Sequence, residues 1–225
     1  SAHGTSSWQN LWNRQGILIL QPDYQRKEVW GDAAKTMLID SILNGIPMPK
    51  TVIVRRSEDL ERAVKLLGGF PVILKAPVGS YGNGVTIVES MRALKSVLVW
   101  DQPLYLLQQF VKFSRGKDIR IFVVNGKVVA SMMRSAQKGE FRSNIELGGV
   151  GHSVKITEEE ASIAIRAVQA LDLHYGGVDL MRSKEGPVIL EVNSNPGFKT
   201  LEVASGVNVA KAIVEYAIEL AERRI

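Results

Sequence analysis

Three side chains near the carboxyl end of the chain have the types and the spacing to bind a metal ion together. Asp179 lies in the apolar segment Gly177–Met181, and Glu191 and Asn193 lie in a second segment, Val188–Gly197. Alternation of apolar residues with acidic or amide residues predicts a strand in each segment. Because Glu191 and Asn193 are two residues apart, they project from the same face of their strand.

A hairpin would bring the third side chain to the other two. A turn with Gly186 in the left-handed conformation would pair Ser183 with Pro187 and thereby place Asp179 opposite Glu191. Three oxygen ligands on one face suit a hard cation such as Mg²⁺, with phosphates supplying further ligands. The alternative is a hairpin with a solvated outer face, which is the more typical meaning of this pattern on its own.

A glycine-rich loop, Val78–Gly84, links two segments that are predicted to be strands, Phe70–Ala76 and Val85–Glu89. It has neither the Gly-Lys-Ser/Thr ending of a Walker A loop nor a helix after it. Its backbone N–H groups could fold over phosphates, although an ordinary hairpin turn is the alternative. Lys75 precedes the loop in an otherwise apolar strand, where a lysine needs an anionic partner such as phosphate.

Further polar groups follow in an order that a nucleotide site would require. Gln108–Val111 leaves a predicted strand edge whose backbone could contact adenine, and Asp118 could accept hydrogen bonds from ribose hydroxyls. Arg134, Lys138 and the segment Glu140–Asn144 then place cations in a glycine-flanked loop, and guanidinium groups suit phosphate or carboxylate. Each feature alone is typical of a solvated loop, but their combined order before the acidic hairpin favours a nucleotide site.

Composition limits the classes of function. The net charge is +5, but the basic residues are scattered, so a phosphate-bearing ligand or an acidic partner is predicted rather than a nucleic acid. The absence of cysteine excludes disulfides and thiolate chemistry and fits a cytoplasmic location. No apolar run is long enough to span a membrane, so no membrane partner is predicted. Residues 1–7 resemble a vector-derived tag and are excluded from fold reasoning.

Local patterns predict an α+β fold with antiparallel sheets. The Asn125-Gly126 pair predicts a type I′ hairpin turn, and Thr157 with Glu160 predicts a capping box. The other predicted helices begin at caps or end at glycine: Asp32 to Asn44, Ser57 to Leu67, the helix after Ser90, and the helix after Asn208.

From about Lys35 to its end, the chain resembles the RimK-type ATP-grasp ligases, in the glutamate-ligase branch. The resemblance implies an ATP-grasp fold of two α/β subdomains, without the amino-terminal pre-ATP-grasp domain that usually precedes it. The expected domains are an amino-terminal segment 1–50, a small subdomain 51–107 and a large subdomain 108–225. The matching segments are Lys75–Val85, Gln108–Val111, Gly116–Arg120, Gly139–Asn144, Gly177–Leu180 and Glu191–Gly197.

The resemblance also implies site residues. Gln109 departs from the glutamate that is usual at its position, which leaves one adenine contact open. The implied phosphate contacts are Lys35 and Lys75 and the loop residues Gly79, Ser80, Gly82 and Gly84, and the implied adenine and ribose contacts are Gln109, Phe110 and Asp118. Arg142, Ser143 and Asn144 are implied to contact the nucleotide, and Arg142 and Asn144 are also implied to be catalytic. The implied metal ligands are Asp179, Glu191 and Asn193.

The activity that the resemblance implies is ATP-dependent ligation of a carboxylate to an amine through an acyl phosphate. The implied cofactors are ATP with Mg²⁺ or Mn²⁺, and the implied partners are glutamate or a similar amino acid and an amine or acidic-peptide acceptor. A homo-oligomer is left open. The alternative is a non-catalytic nucleotide-binding protein or an engineered chimera with the same fold.

The amino-terminal segment carries a second resemblance. Residues 18–50 are similar to the start of the ParB/sulfiredoxin-like domain of restriction systems. An engineered chimera and an unusual natural fusion are both consistent with this graft-like pattern. Residues before about Val29 are expected to cover the core rather than to cut DNA, because paired carboxylates and nuclease-like histidines are absent there.

Overall fold

A computed structural model describes residues 45–75, 84–98 and 105–223. The described residues divide into two compact units, 50–110 and 45–49 with 111–223, and each is described by itself. The predicted helix from Asp32 to Asn44, the ParB-like residues before it, and the implied ATP contacts Lys35, Gly79, Ser80 and Gly82 lie outside the described residues. The boundaries of the two subdomains stay a prediction.

The first unit is a four-stranded antiparallel sheet with two short helices. The sheet order is β1-β4-β2-β3, and helix α2 begins after Ser90, whose hydroxyl accepts a hydrogen bond from the Ala93 N–H at 3.2 Å. Leu60, Leu94 and Leu107 are among the fully buried residues of its core. The elements are β1 Thr51–Val54, α1 Leu60–Leu66, β2 Val72–Lys75, β3 Val85–Val88, α2 Met91–Val97 and β4 Tyr105–Gln109.

The second unit is a five-stranded antiparallel sheet with three helices. The sheet order is β7-β6-β5-β8-β9. Strand β7 and helix α4 are short elements that the sequence patterns did not predict. The elements are β5 Lys117–Val124, β6 Lys127–Ser135, β7 Val150–Ser153, α3 Glu158–Ala170, β8 Tyr175–Ser183, β9 Gly186–Asn193, α4 Lys199–Ser205 and α5 Val209–Glu222.

Local signals in the second unit are confirmed in detail. Asn125 and Gly126 have φ angles of 49° and 67°, and two positive φ angles are what a type I′ turn requires. The Glu160 N–H donates to the Thr157 hydroxyl at 3.1 Å, and the Thr157 N–H donates to the Glu160 carboxylate at 2.8 Å, which completes the capping box. Asn208 caps α5 by accepting from the Lys211 N–H at 2.7 Å.

The five-stranded sheet has one apolar face and one mixed face. Ile121, Val178 and other residues of the apolar face pack in one cluster with α3. On the mixed face, Phe122 packs with residues of α4 and α5. Because side chains alternate along a strand, Asp118 and Arg120 lie on the same face as Phe122. The mixed face therefore carries charged residues beside an apolar patch.

The β8–β9 hairpin reaches the predicted pairing of Asp179 with Glu191 by an unexpected register. Ser183 pairs with Gly186 and not with Pro187, so the predicted register at the turn is wrong. A two-residue turn shifts the pairing by one position. A bulge, which leaves Leu190 out of the pairing, shifts it back, and the predicted opposition of Asp179 and Glu191 is confirmed.

Among the residues that the structure describes, no helix is both long enough and apolar enough to cross a lipid bilayer.

Candidate functional site

Charged residues face each other across four strands of the second sheet. Asp118 of β5 is directly opposite Arg134 of β6, and Arg120 of β5 is directly opposite Asp179 of β8. Asp179 is in turn opposite Glu191 of β9. Directly opposed side chains in an antiparallel sheet lie close enough for contact. The backbone pairing therefore assembles a row of alternating charge that ends in two acidic residues.

Arg134 of β6 lies at the end of this row opposite to Glu191 and joins two carboxylates. Its Nε and Nη2 donate to Asp118 Oδ1 and Oδ2, both at 2.6 Å, and Nη2 also donates to Asp179 Oδ2 at 2.8 Å. Only 3% of Arg134 is exposed. Arg134 was predicted to lie in a loop, which is wrong, because it belongs to β6. Because Arg134 is buried in a strand, its charge is stabilised by its ion pairs with Asp118 and Asp179 and not by water.

Arg120 binds the second carboxylate with both arms of its guanidinium group. Nε donates to Asp179 Oδ1 and Nη2 donates to Asp179 Oδ2, each at 2.7 Å. This bidentate geometry is the strongest form of arginine–carboxylate pairing. Only 2% of Asp179 is exposed. Its carboxylate nevertheless accepts hydrogen bonds from both Arg120 and Arg134.

The ionisation of the two buried aspartates differs. Burial opposes ionisation of Asp179, but the charges of Arg134 and Arg120 and the hydrogen bonds from Arg120 outweigh it and lower its pKa to about 2. Burial raises the pKa of Asp118, and the charge of Arg134 offsets this only in part. Asp179 is thus the carboxylate that this environment keeps ionised.

Glu191 completes the row at the exposed edge. Its side chain is exposed, and the Asn193 amide donates to its Oε1 at 2.9 Å. Glu191 lies directly opposite Asp179 on the neighbouring strand. Two opposed carboxyl groups repel each other when both are ionised, which favours a proton or a cation near them, and the charge of Arg120 meets part of this demand. The predicted metal-binding set of Asp179, Glu191 and Asn193 is therefore brought together.

The oxygen donors of this set fit Mg²⁺. In the described part of the chain, no group of three or more His, Cys, Asp or Glu residues could hold a metal by itself. Mg²⁺ is usually bound by one or two carboxylates, with water and substrate phosphates as its other ligands. Asp179 and Glu191 would supply such a pair, and the Asn193 amide lies beside it.

The loop between β6 and β7 is tied to this cluster through Ser143. The Ser143 hydroxyl donates to Asp118 Oδ2 at 2.6 Å, and Ser143 is buried. Asp118, assigned to the ribose from the sequence, therefore has its carboxylate occupied by Arg134 and Ser143. Its ribose contact stays a prediction.

Arg142 and Asn144, the two residues assigned catalytic roles, have local partners in the same loop. The Arg142 guanidinium donates to Glu140 at 2.7 and 3.1 Å and lies 5.6 Å from the centre of the Phe141 ring. Hydrogen bonds from Arg142 lower the pKa of Glu140 to about 2. The Asn144 carbonyl accepts from the N–H groups of Leu147 and Gly149, so its backbone closes the loop.

Gly149→Ala should disrupt this loop. A Cβ at Gly149 would lie 2.3 Å from the Ser143 carbonyl oxygen and 2.8 Å from that of Asn144, and these backbone atoms cannot move without opening the loop. We expect a loss of about 3 kcal/mol in the free energy of unfolding, measured by urea denaturation. Gly197→Ala is the control because its Cβ would meet nothing within 4 Å. Equal losses in both variants would show that the clash with the Ser143 and Asn144 carbonyl oxygens is not the cause.

The first unit holds the remaining described candidates. Lys75 is the last residue of β2 and pairs with Val85, the residue after Gly84. Gly84 has a φ of 77°. Gln109 ends β4, and Phe110 follows it. These residues keep their implied roles as predictions.

The backbone near Gln109 differs from its predicted setting. Strand β4 lies between β1 and β2, so the predicted free strand edge at Gln108–Val111 is wrong for the part within β4. The Gln109 N–H donates to the Lys50 carbonyl at 2.8 Å. The buried Gln108 amide donates to the Thr51 hydroxyl at 2.9 Å. The Gln109 N–H is therefore already paired, whereas Phe110 and Val111 lie beyond the end of β4.

Sequence reasoning assigned no role to Arg120 or Glu140. A usable signal existed for Arg120, since a charged residue two positions after Asp118 in a strand of Ile and Val needs a charged partner on the same face. For Glu140, proximity to Arg142 in the sequence was visible, but its hydrogen bonds depend on the loop conformation.

Comparison with known proteins identifies the family. The model of the RimK-like ATP-grasp domain matches residues 32–217. The chain belongs to this family. A probable alpha-L-glutamate ligase of Methanococcoides burtonii is 43% identical over 175 residues, which cover 76% of this chain and 58% of that protein. The chain thus spans about three fifths of the curated relatives it matches.

Solved structures show that the domain has the ATP-grasp fold. One is the ATP-grasp ligase PsnB complexed with minimal precursor, Mg and ADP, with a TM-score of 0.67, 17% identity, and coverage of 84% of this chain and 60% of that one. Another is the D-alanine–D-alanine ligase from Bacillus anthracis complexed with ATP, with a TM-score of 0.63, 22% identity, and coverage of 85% and 66%. The predicted α+β ATP-grasp fold is confirmed.

The chimera hypothesis gains no support from the family match. The match begins at residue 32 and so includes the whole of the predicted helix that both resemblances shared. The ParB-like residues 18–31 lie outside both the match and the described residues.

Proposed function

We propose that this ATP-grasp domain binds ATP with Mg²⁺ or Mn²⁺ and joins a carboxylate to an amine through an acyl phosphate. The single observation that carries the proposal is the opposition of Asp179 and Glu191 at the end of the charged row. Fold membership alone would leave the chemistry open, because one fold supports many functions. Two opposed carboxyl groups, one of them held ionised, supply the one or two carboxylates by which Mg²⁺ is usually bound.

Each group in the row has a separate part in this proposal. Asp179, Glu191 and Asn193 hold the metal ion. Arg120 and Arg134 keep Asp179 ionised and fixed, so that it does not need to reorganise when the ion binds. Bound MgATP supplies the phosphoryl group that activates the carboxylate, with the metal offsetting phosphate charge.

The loop residues position the substrates in this proposal. Ser143 anchors the loop to Asp118. Arg142 and Asn144 would then contact the phosphate groups and the activated carboxylate. The nucleotide contacts assigned to the first unit, and to residues outside the described ranges, belong to the same proposal. Catalysis of this kind depends on positioning and charge rather than on a covalent enzyme intermediate.

The proposed amino acid is glutamate. Its support is the name of the relatives, probable alpha-L-glutamate ligases at 43–45% identity. Because the chain spans about three fifths of those proteins, the acceptor is proposed only as a class, an amine or the amino group of an acidic peptide.

The test of this function is a ligation assay. The chain is incubated with MgATP, one amino acid at a time and a panel of amine and acidic-peptide acceptors, and products are measured by mass together with ADP. We expect ADP and a condensed product with glutamate, and neither when EDTA is added or when AMPPNP replaces ATP. ADP and product that form equally in EDTA would contradict the proposal.

Nucleotide binding should be visible independently of turnover. We expect MgATP at about 100 times its Kd to stabilise the protein by about 2.7 kcal/mol, measured as a rise in Tm. ATP with excess chelator should raise the Tm much less, because the phosphates would then approach Glu191 and Asp179 without a cation. No shift with millimolar MgATP would contradict metal-dependent binding.

A further inference from the structure

The Asp179 carboxylate has little capacity left for a metal ion. A carboxylate has about four acceptor positions on its two oxygens. Arg120 Nε fills one position on Oδ1, and the Nη2 atoms of Arg120 and Arg134 fill two positions on Oδ2. The remaining position is therefore on Oδ1. The Glu191 carboxyl group and an incoming cation would compete for it.

The two guanidinium groups cannot easily turn away to release more positions. Arg134 is 3% exposed and is fixed by its two 2.6 Å bonds to Asp118. The Arg120 side chain is 13% exposed and lies directly opposite Asp179 on the neighbouring strand. Moving either group would leave a buried carboxylate with fewer partners, which is strongly unfavourable.

We propose that Arg120, together with Arg134, limits Asp179 to one bond with the cation and so selects Mg²⁺ over Ca²⁺. This inference rests on the proposed cation site. Mg²⁺ takes six ligands in octahedral geometry and is satisfied by one oxygen from each carboxylate. Ca²⁺ takes six to eight oxygens and commonly uses a carboxylate through both. Arg120 is then a specificity-determining residue that acts through Asp179 without touching the ion.

Arg120 is the residue through which this can be tested. Every hydrogen bond that the described structure gives its side chain goes to Asp179. Its loss frees one acceptor position on each oxygen and allows Asp179 to bind a cation through both. Arg134 is unsuitable for the test, because its loss would also remove its two hydrogen bonds to the Asp118 carboxylate.

The experiment measures Mg²⁺ and Ca²⁺ affinities of the full chain by calorimetry with AMPPNP present, corrected for cation binding to AMPPNP alone. In Arg120→Met, we expect the Kd for Ca²⁺ relative to that for Mg²⁺ to fall about tenfold. Arg120→Lys keeps the charge without the fork and should change this ratio in the same direction. It also preserves the test if the Met variant does not fold.

Arg182→Met is the matched control. Arg182 binds the Glu160 carboxylate with the same fork, at 2.6 and 2.9 Å, in the α3 capping region. Its Ca²⁺/Mg²⁺ ratio should equal that of the parent protein. A ratio that stays unchanged in both Arg120 variants while the parent binds Mg²⁺ would overturn the selectivity proposal alone. A parent protein that binds AMPPNP but no divalent cation would overturn the proposed cation site itself.

Discussion

Arg134→Met should lower the free energy of unfolding by about 3–5 kcal/mol. The substitution removes the three hydrogen bonds that join Asp118 and Asp179, while the Ser143 hydroxyl continues to donate to Asp118. A buried charge that loses its ion-pair partner keeps its full desolvation cost. Urea denaturation followed by circular dichroism measures the effect.

Arg182→Met supplies the comparison for this prediction. Its ion pair with Glu160 has the same bidentate form, but 37% of the Arg182 side chain is exposed, against 3% for Arg134. Glu160 is buried, but it keeps a hydrogen bond from the Thr157 N–H, and only one carboxylate loses its partner. We therefore expect a smaller loss, of about 2 kcal/mol. Similar losses in the two variants would show that burial gives the Arg134 cluster no special weight in the stability of the sheet.

Glu191→Gln should weaken metal-dependent nucleotide binding by about 100-fold or more, because it removes a proposed metal ligand outright. The fold should persist, since the side chain is exposed. Glutamine also keeps an oxygen that can accept from Asn193. Binding of AMPPNP with Mg²⁺ is measured by calorimetry, and unfolding is measured in parallel.

Glu185→Gln is the control for Glu191→Gln. It removes the same charge from the exposed turn of the same hairpin, at a residue that does not face Asp179. Its nucleotide affinity should match that of the parent protein within about twofold, since an exposed charge away from the site is largely screened. If both variants lose nucleotide affinity alike, the loss arises from the change in net charge, and the assignment of Glu191 as a metal ligand is wrong.

Local sequence patterns were sufficient for most elements of the fold. The type I′ turn at Asn125-Gly126 and the capping box at Thr157 depend on residues within four positions of each other, so their chemistry is visible in the sequence. The bulge at Leu190 is different. It reflects the competition between a two-residue turn and the pairing of β8 with β9, and neither is encoded at a single position.

The candidate site was predictable as a set of residues but not as a network. Asp179, Glu191 and Asn193 could be grouped because one hairpin contains them all. The pairing of Arg134 with both Asp118 and Asp179 depends on the register of three strands, β6, β5 and β8. Arg134 and Asp179 are 45 residues apart in the chain, so the bridge between the carboxylates is a tertiary property.

The location of the cation is tested most directly by anomalous diffraction from crystals that contain Mn²⁺ and AMPPNP. The proposed cation site predicts an anomalous peak about 2.1 Å from one oxygen of Asp179 and close to Glu191, with further ligands from the phosphates. Bound AMPPNP with no Mn²⁺ peak beside these two carboxylates, or with a peak elsewhere, would contradict it.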